Sequence, residues 1–238
     1  MLHEETVKPG TLDLIYKLMR DQQFKSFYLV GGTALALKLG HRESIDIDLF
    51  NTGDFDAVKL ASHLEKQYNA LIRRQKSNYV SGSIFDVDFD LISHKYPAVK
   101  QIETIQGIRM MSLEDIAAMK INAIVHSGQR IKDFIDIHYL LQEFEYNDIL
   151  EFYCSKYPNV NRTQARNSLL YHNDIDFNVP VILKDKSLRW QHVSISINDV
   201  IAKHDRELQN RGFNRDDDNS ENIGPNRGGY KCNSDYLI

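Results

Sequence analysis

Tyr28 to Phe50 reads YLVGGTALALKLGHRESIDIDLF: an apolar run, two adjacent glycines, a helix-compatible stretch, then two aspartates one residue apart. Each half has a plain structural account, a tight turn for the glycines and a solvent-facing strand edge for the acids. In chain order, however, the pattern spells strand, turn, helix and second strand. FYLV, Phe27 to Val30, is expected to be a buried strand. Thr33 to Leu39 is expected to be a helix, with Gly40 at the left-handed position that closes it. IDIDLF, Ile45 to Phe50, alternates at period two and reads as a strand. Asp46 and Asp48 then share one face, about 7 Å apart along the chain, while Ile45, Ile47 and Leu49 turn to the core.

Two carboxylates on one face repel, and folding gives no reason to place them there. Hard oxygen ligands on one face suit Mg²⁺, which removes the repulsion. A second acidic segment follows. SIFDVDFDLI, Ser83 to Ile92, reads as a strand with Phe85, Val87, Phe89 and Leu91 on one side and Asp86, Asp88 and Asp90 on the other. Were the two strands neighbours, one of these three aspartates would complete a triad with Asp46 and Asp48. Three carboxylates are the minimum for a two-metal site that clamps a triphosphate. Gly31-Gly32-Thr33 follows a strand and opens a helix, so backbone N–H groups and the helix dipole would meet a phosphate there, with the Thr33 hydroxyl as a further donor. Neither a Walker loop nor a dinucleotide fingerprint is present.

Outward from this centre, residues 11–24 read as an amphipathic helix. A further helix spans Phe55 to Tyr68 with Asp54 as its cap, and Ile102 to Met110 reads as one more strand. From Ser112 the pattern becomes helical. SLED forms a capping-box-like start, a helix follows near Ile131 to Leu141, and others lie around 147–157, 162–171 and Asn198 to Asn210. The expected organisation is an α/β portion over residues 1–110, a mainly helical domain over 111–210 that completes the site, and a disordered polar tail over 211–238. The net charge of −4 advertises no polyanion-binding field over the whole molecule, so any such contact must be local. Cys154 and Cys232 are too few and too far apart for a disulfide framework or a thiolate zinc site. With no signal peptide and no apolar run of about 20 residues, a cytoplasmic protein without a membrane partner is expected.

The order Gly-Gly, short helix, D-x-D, acidic strand resembles the nucleotidyltransferase superfamily with a polymerase-β-like core. LVGGTALAL, GHRESIDIDLF, DLISHKYP and LEDIAAMKINAIVHSGQRIKDFIDIHYLL together resemble the AbiEii/AbiGii group of toxin-type nucleotidyltransferases over about residues 26–141, more loosely through LLYHNDIDFNVP. The resemblance implies an α+β fold, a nucleotidyltransferase-like mixed sheet flanked by helices and followed by a helical domain. It implies Mg²⁺ in a two-metal site and an NTP substrate. Asp46, Asp48 and Asp90 would hold the metals, with Asp88 the second choice for the third carboxylate. Gly31, Gly32 and Thr33 would bind phosphates, Arg42 and Ser44 would orient the triphosphate, and Lys120, Lys132 and Asp133 fall on the family's helical motifs. Lys120 interrupts an apolar helical stretch, where a lysine is costly unless it meets a phosphate or an acid. Asp133 would either hold Lys120 in place or assist proton removal. Lys132 and Asp136 read equally as an i,i+4 surface pair.

The resemblance further implies transfer of an NMP to an acceptor hydroxyl, on RNA such as a tRNA 3′ end or on a protein. It points to a toxin of a toxin–antitoxin or phage-defence system, with a winged-helix antitoxin as partner. Two other functions compete: kinase-like transfer of the γ-phosphate, and a non-catalytic partner-binding role. His41, His94, His126 and His138 lack metal-ligand spacing and read as surface or turn residues, and Trp190 reads as core. The run Arg73-Arg74-Gln75-Lys76 reads as a solvated face, or as a contact for an RNA backbone.

Overall fold

The computed structural model describes residues 1–213. The chain runs through α1 (Pro9–Arg20), β1 (Tyr28–Leu29), α2 (Gly31–Leu39), β2 (Ile47–Asn51) and α3 (Ala57–Tyr68). Three strands follow, β3 (Leu71–Lys76), β4 (Tyr79–Ile84) and β5 (Val87–Ser93), then a short hairpin of β6 (Glu103–Ile105) and β7 (Ile108–Met110). The helices α4 (Leu113–His126), α5 (Ile131–Glu143), α6 (Tyr146–Lys156), α7 (Arg162–Leu170) and α8 (Trp190–Phe213) complete the described chain. Of the tail expected to be disordered, residues 211–213 end α8, and the remainder, Cys232 included, lies outside the described residues. No described helix is long and apolar enough to cross a membrane.

All seven strands form one mixed sheet in the order β3-β4-β5-β2-β1-β7-β6, parallel at β2–β5 and β1–β7 and antiparallel elsewhere. The expected α+β class with a mixed sheet is therefore the observed one. On one face Ile47, Leu49, Val80, Phe89 and Leu91 are buried, with α3 packed on β3 and β4 and α2 against β2. On the other face Ser81, Asp90 and Asp48 lie in a row across β4, β5 and β2. Period-two alternation thus separates an apolar face from an acidic one, as the sequence pattern requires.

Four local expectations change. SIFDVDFDLI is not one strand. Ile84 pairs with Val87, leaving Phe85 and Asp86 as a two-residue turn, with Phe85 at φ 52° and 76% exposed. Such a turn needs positive φ and here takes it at a phenylalanine, which apolar alternation alone would place in a core. Ile45 precedes β2 and is 54% exposed rather than core-facing. Ile102 to Met110 folds back at Gln106-Gly107, both with positive φ. The cap of α3 is Asp56, which accepts from the N–H groups of Val58 and Lys59 at 3.0 Å, whereas Asp54 pairs with Asn78 and Lys95. An N-cap acid must lie two or three residues before the donors it satisfies, and only Asp56 does.

The SLED start does more than cap α4. Ser112 accepts from the Asp115 N–H at 3.1 Å, and Asp115 accepts from Ser112 Oγ at 2.9 Å. The same carboxylate accepts from the N–H groups of Val99 and Lys100, at 3.0 Å each, and pairs with Lys156 Nζ at 2.6 Å. Lys156 also donates to the Pro97 carbonyl at 3.2 Å. Both charges are fully buried, so the pair ties the loop after β5 to the start of α4 and the end of α6. Removing one partner leaves an uncompensated buried charge, which costs about 3–5 kcal/mol. Lys156→Met is expected to lose that much stability in urea unfolding. The double variant Lys156→Met/Asp115→Asn, which removes both charges, should lose less than the sum of the two single changes.

Candidate active site

Asp48 and Asp90 are Cα partners in the parallel β2–β5 pair and project from the same face. Adjacent strands stand about 4.8 Å apart, so the two carboxylates lie side by side. Burial first, and the Asp90 charge second, push the Asp48 carboxyl up to about 6. The Tyr79 hydroxyl donates to Asp90 Oδ1 at 2.8 Å and fixes the second carboxylate from β4. These groups floor an open cavity of about 370 Å³, with Arg73 and Arg74 on one wall and Arg130 and Lys132 among its other lining residues.

The glycine pair makes room for the protein's own side chains. Gly31 has φ +69°, and a Cβ there would sit 2.5 Å from Asp48 Oδ2. Only glycine tolerates both the conformation and the contact. A Cβ on Gly32 would stand 2.5 Å from Arg42 Nη2 and 3.3 Å from Ser44 Oγ. The N–H groups of Gly31, Gly32 and Thr33 open α2 and, as first-turn donors, have no acceptor within the helix. The Thr33 side chain is buried, with Oγ1 2.5 Å from the Asp46 carbonyl and 2.9 Å from Ser44 Oγ. A carbonyl can only accept, so Thr33 donates to Asp46 and Ser44 donates to Thr33. Both hydroxyls, expected to address phosphate, instead hold the backbone that carries Asp46.

Behind this floor lies a buried ion network. Arg42 meets Asp136 in a fork, Nε to Oδ1 at 2.6 Å and Nη2 to Oδ2 at 2.8 Å, and its Nη1 donates to the Glu43 carbonyl at 3.0 Å. Lys120 Nζ bridges Asp133 Oδ1 at 2.6 Å and Asp136 Oδ2 at 2.7 Å. His41 Nε2 donates to Asp136 Oδ1 at 2.8 Å, and Arg130 Nε donates to Asp133 Oδ2 at 2.8 Å. Burial alone would raise the Asp136 carboxyl, but Arg42 and Lys120 hold it well below the ordinary range. The reverse balance keeps Lys120 charged, since Asp136 and Asp133 outweigh its burial. Burial lowers the His41 imidazole against the pull of Asp136, so this histidine is a neutral donor.

The structure therefore brings Asp48, Asp90 and Lys132 to one cavity, with Asp46 at its edge and Gly31 against the Asp48 carboxylate. Asp46 is half-exposed, and its Oδ2 lies 4.0 Å from Lys132 Nζ. Asp88 lines the same cavity but is 54% exposed in its side chain and paired with Arg73. Asp86 sits in the turn. Arg42 and Ser44 are engaged internally, so the expected orientation of a triphosphate by these two is not what their contacts provide. Lys132 and Asp136 do not pair with each other. His41 is buried rather than superficial, His94 is half-buried and stacked on Phe50 at 4.8 Å, and Trp190 is only partly buried. Sequence reasoning missed Tyr79 and Arg130. Tyr79 had no signal beyond its place in an alternating segment, while Arg130 immediately precedes the I-K-D motif at the start of a helix.

Among the described residues no group of three or more His, Cys, Asp or Glu side chains stands arranged to hold a metal ion. The donor chemistry nevertheless fits a hard divalent cation. Asp48 and Asp90 are adjacent, without an ion pair among the described residues, and mutually repelled, and Asp46 is a third oxygen donor at the cavity edge.

Over 154 residues the chain is 29% identical to the Uncharacterized protein aq_aa25 of Aquifex aeolicus (strain VF5), a match covering 62% of this chain and 74% of that protein. JHP933 from Helicobacter pylori shares the fold, with a TM-score of 0.53 at 15% identity over 89% of this chain and 98% of that one. The model of the family described as nucleotidyl transferase AbiEii toxin, type IV toxin–antitoxin system, matches residues 13–218, and the chain belongs to that family.

Proposed function

We propose that the protein transfers an NMP from an NTP to an acceptor hydroxyl, with divalent metal ions held by Asp46, Asp48 and Asp90. One observation carries this: two carboxylates in register on neighbouring strands, without an ion pair among the described residues, on the floor of an open cavity beside the N-terminus of α2. When bound, Mg²⁺ supplies Lewis-acid polarisation of the phosphate oxygens. The chain's own residues do the rest. The free N–H groups of Gly31, Gly32 and Thr33 meet phosphate oxygens, and Lys132 adds a cation at the same edge. Tyr79 orients Asp90. Lys120, bridged by Asp133 and Asp136, is a positioning residue whose buried charge offsets part of the floor's negative potential. The acceptor oxygen bonds to the α-phosphorus as the bond to the departing pyrophosphate breaks. The acceptor is an RNA such as a tRNA 3′ end, or a protein, and the cell-level role is that of a toxin held in check by a cognate antitoxin, of winged-helix type, in phage defence.

Incubation with α-labelled NTP is expected to leave label on the acceptor, and γ-labelled NTP to leave none. Label arriving only from the γ position would overturn NMP transfer. Asp48→Asn should abolish transfer and any growth inhibition without unfolding the protein, because the amide keeps the shape that Gly31 accommodates.

The raised Asp48 carboxyl has a second consequence in chelator-treated protein. The folded state keeps a proton that the unfolded chain has released, so this stabilising contribution is complete below about pH 4 and is lost as pH rises through about 6. Thermal unfolding of metal-free wild type should therefore show falling stability between about pH 4 and 7, with Asp48→Asn flatter and about 1–3 kcal/mol more stable at the upper end. Added Mg²⁺ should stabilise the wild type and leave Asp48→Asn unmoved.

A further inference from the structure

β3 is the edge strand next to the cavity, and it carries a bulge. Ile72 pairs with Gly82 and Arg74 with Ser81, so Arg73 is the inserted residue. On a regular strand two successive side chains face opposite sides of the sheet. A bulge re-aims one of them, and here both Arg73 and Arg74 line the cavity that holds Asp48 and Asp90. Gly82 makes the bulge fit. A Cβ there would collide with the Leu71 carbonyl oxygen and stand 3.1 Å from Ile72 Cα. The bulge at Arg73, and the side-chain-free Gly82 opposite Ile72 that admits it, are thus a built feature of the cavity wall.

The charge on this wall is only partly neutralised. Arg73 pairs with Asp88, but Arg74 has no ion pair among the described residues. Lys76 follows on the same strand, and Leu71 to Ile84 contains no acidic residue. From β5 across β4 to β3 is two strand spacings, roughly 10 Å, so the arginines lie on the opposite flank of the Asp48–Asp90 floor from β2 and the Gly31 turn. A triphosphate lying along Gly31 and Lys132 leaves this second cationic flank open. Two consecutive exposed arginines brought to one side by the bulge, with Lys76 two residues on, suit the repeated phosphates of a polynucleotide, which arginine grips with two parallel N–H donors. A protein acceptor offers no such repeat.

We propose that the β3 bulge is the acceptor-binding site, and that the acceptor is a nucleic acid strand whose backbone phosphates contact Arg73, Arg74 and Lys76 while its terminal hydroxyl reaches the carboxylate floor. This rests on the nucleotidyl-transfer reading above. In the step it serves, the terminal hydroxyl oxygen bonds to the α-phosphorus, its proton passes to solvent, and pyrophosphate leaves.

The test compares wild type with Arg74→Gln and Arg73→Gln/Arg74→Gln in the full chain, using a labelled short single-stranded RNA and, separately, Mg²⁺-NTP. Both side chains are solvent-exposed, so the fold is expected to survive. RNA affinity should fall in both variants, and the slope of log affinity against log salt should shrink by about 0.7 per arginine removed. Mg²⁺-NTP affinity measured by calorimetry should not change. Unchanged RNA affinity and slope would overturn the proposal. A parallel loss of NTP affinity would also overturn it, by assigning the arginines to the nucleotide, and so would label transfer to protein with none to RNA. A wild type that binds RNA through these arginines yet binds no Mg²⁺-NTP would instead sink the transferase reading while leaving the anion site standing.

Discussion

Asp136 is the group on which the arrangement of sheet and helices depends. Its carboxylate is fully buried, yet it accepts from Arg42 on the segment before β2, from Lys120 on α4 and from His41 at the end of the α2 turn. Two stretches distant in sequence, His41-Arg42 and Lys120, therefore converge on two oxygen atoms of a third. Taking these charges out of water is costly, and only complete pairing makes it tolerable. Because the Arg42 contact is bidentate, it fixes direction as well as distance. The backbone from Arg42 to Asp46 is thereby registered against α5, and β2 enters the sheet with Asp48 already aimed.

The contrast between this network and the carboxylates in front of it explains why one reads as architecture and the other as chemistry. Arg42, Lys120 and Arg130 face Asp133 and Asp136, so each buried acid has at least two basic partners. In front of it, Asp48 and Asp90 stand side by side, with the Tyr79 hydroxyl donating to Asp90 and no ion pair among the described residues. A fold seeking stability alone would not leave one buried acid pair over-compensated and its neighbour repelled. Perturbed acids in an open cavity are where function is expected.

The sequence showed most of the site's acids because strand alternation is a short-range rule. Asp46 and Asp48 on one segment, and Asp88 and Asp90 on another, follow from period two alone, while the pairing of those segments is a condition that only the β2–β5 ladder meets. It could not show that Asp90 rather than Asp88 stands opposite Asp48, since a register is set by long-range packing. It missed the Phe85 turn because a phenylalanine at positive φ breaks the usual turn chemistry. It placed Arg42 and Ser44 on a phosphate because a motif records which residues recur, while their partners here, Asp136 and Thr33, lie 94 and 11 residues away. The bulge in β3 was invisible for a similar reason. A run of four polar residues looks solvated until Gly82 on the next strand allows it to bend.

Gly31 shows how closely fold and chemistry are joined. As a turn residue it needs only to reach positive φ, which asparagine would also tolerate at modest cost. As a neighbour of Asp48 it must also lack a side chain, since any Cβ would enter the space the carboxylate occupies. A substitution there would leave β1 and α2 intact, because their hydrogen bonds do not involve a Cβ, but would drive the Asp48 carboxylate off the floor. The glycine pair is thus less a cradle awaiting a ligand than the mould in which one acid is cast. The same construction recurs at Gly82, where a missing Cβ lets β3 bend and sets Arg73 and Arg74 on the wall of the cavity that acid floors. Two absent side chains, one on each flank, position the charges that give the cavity its character.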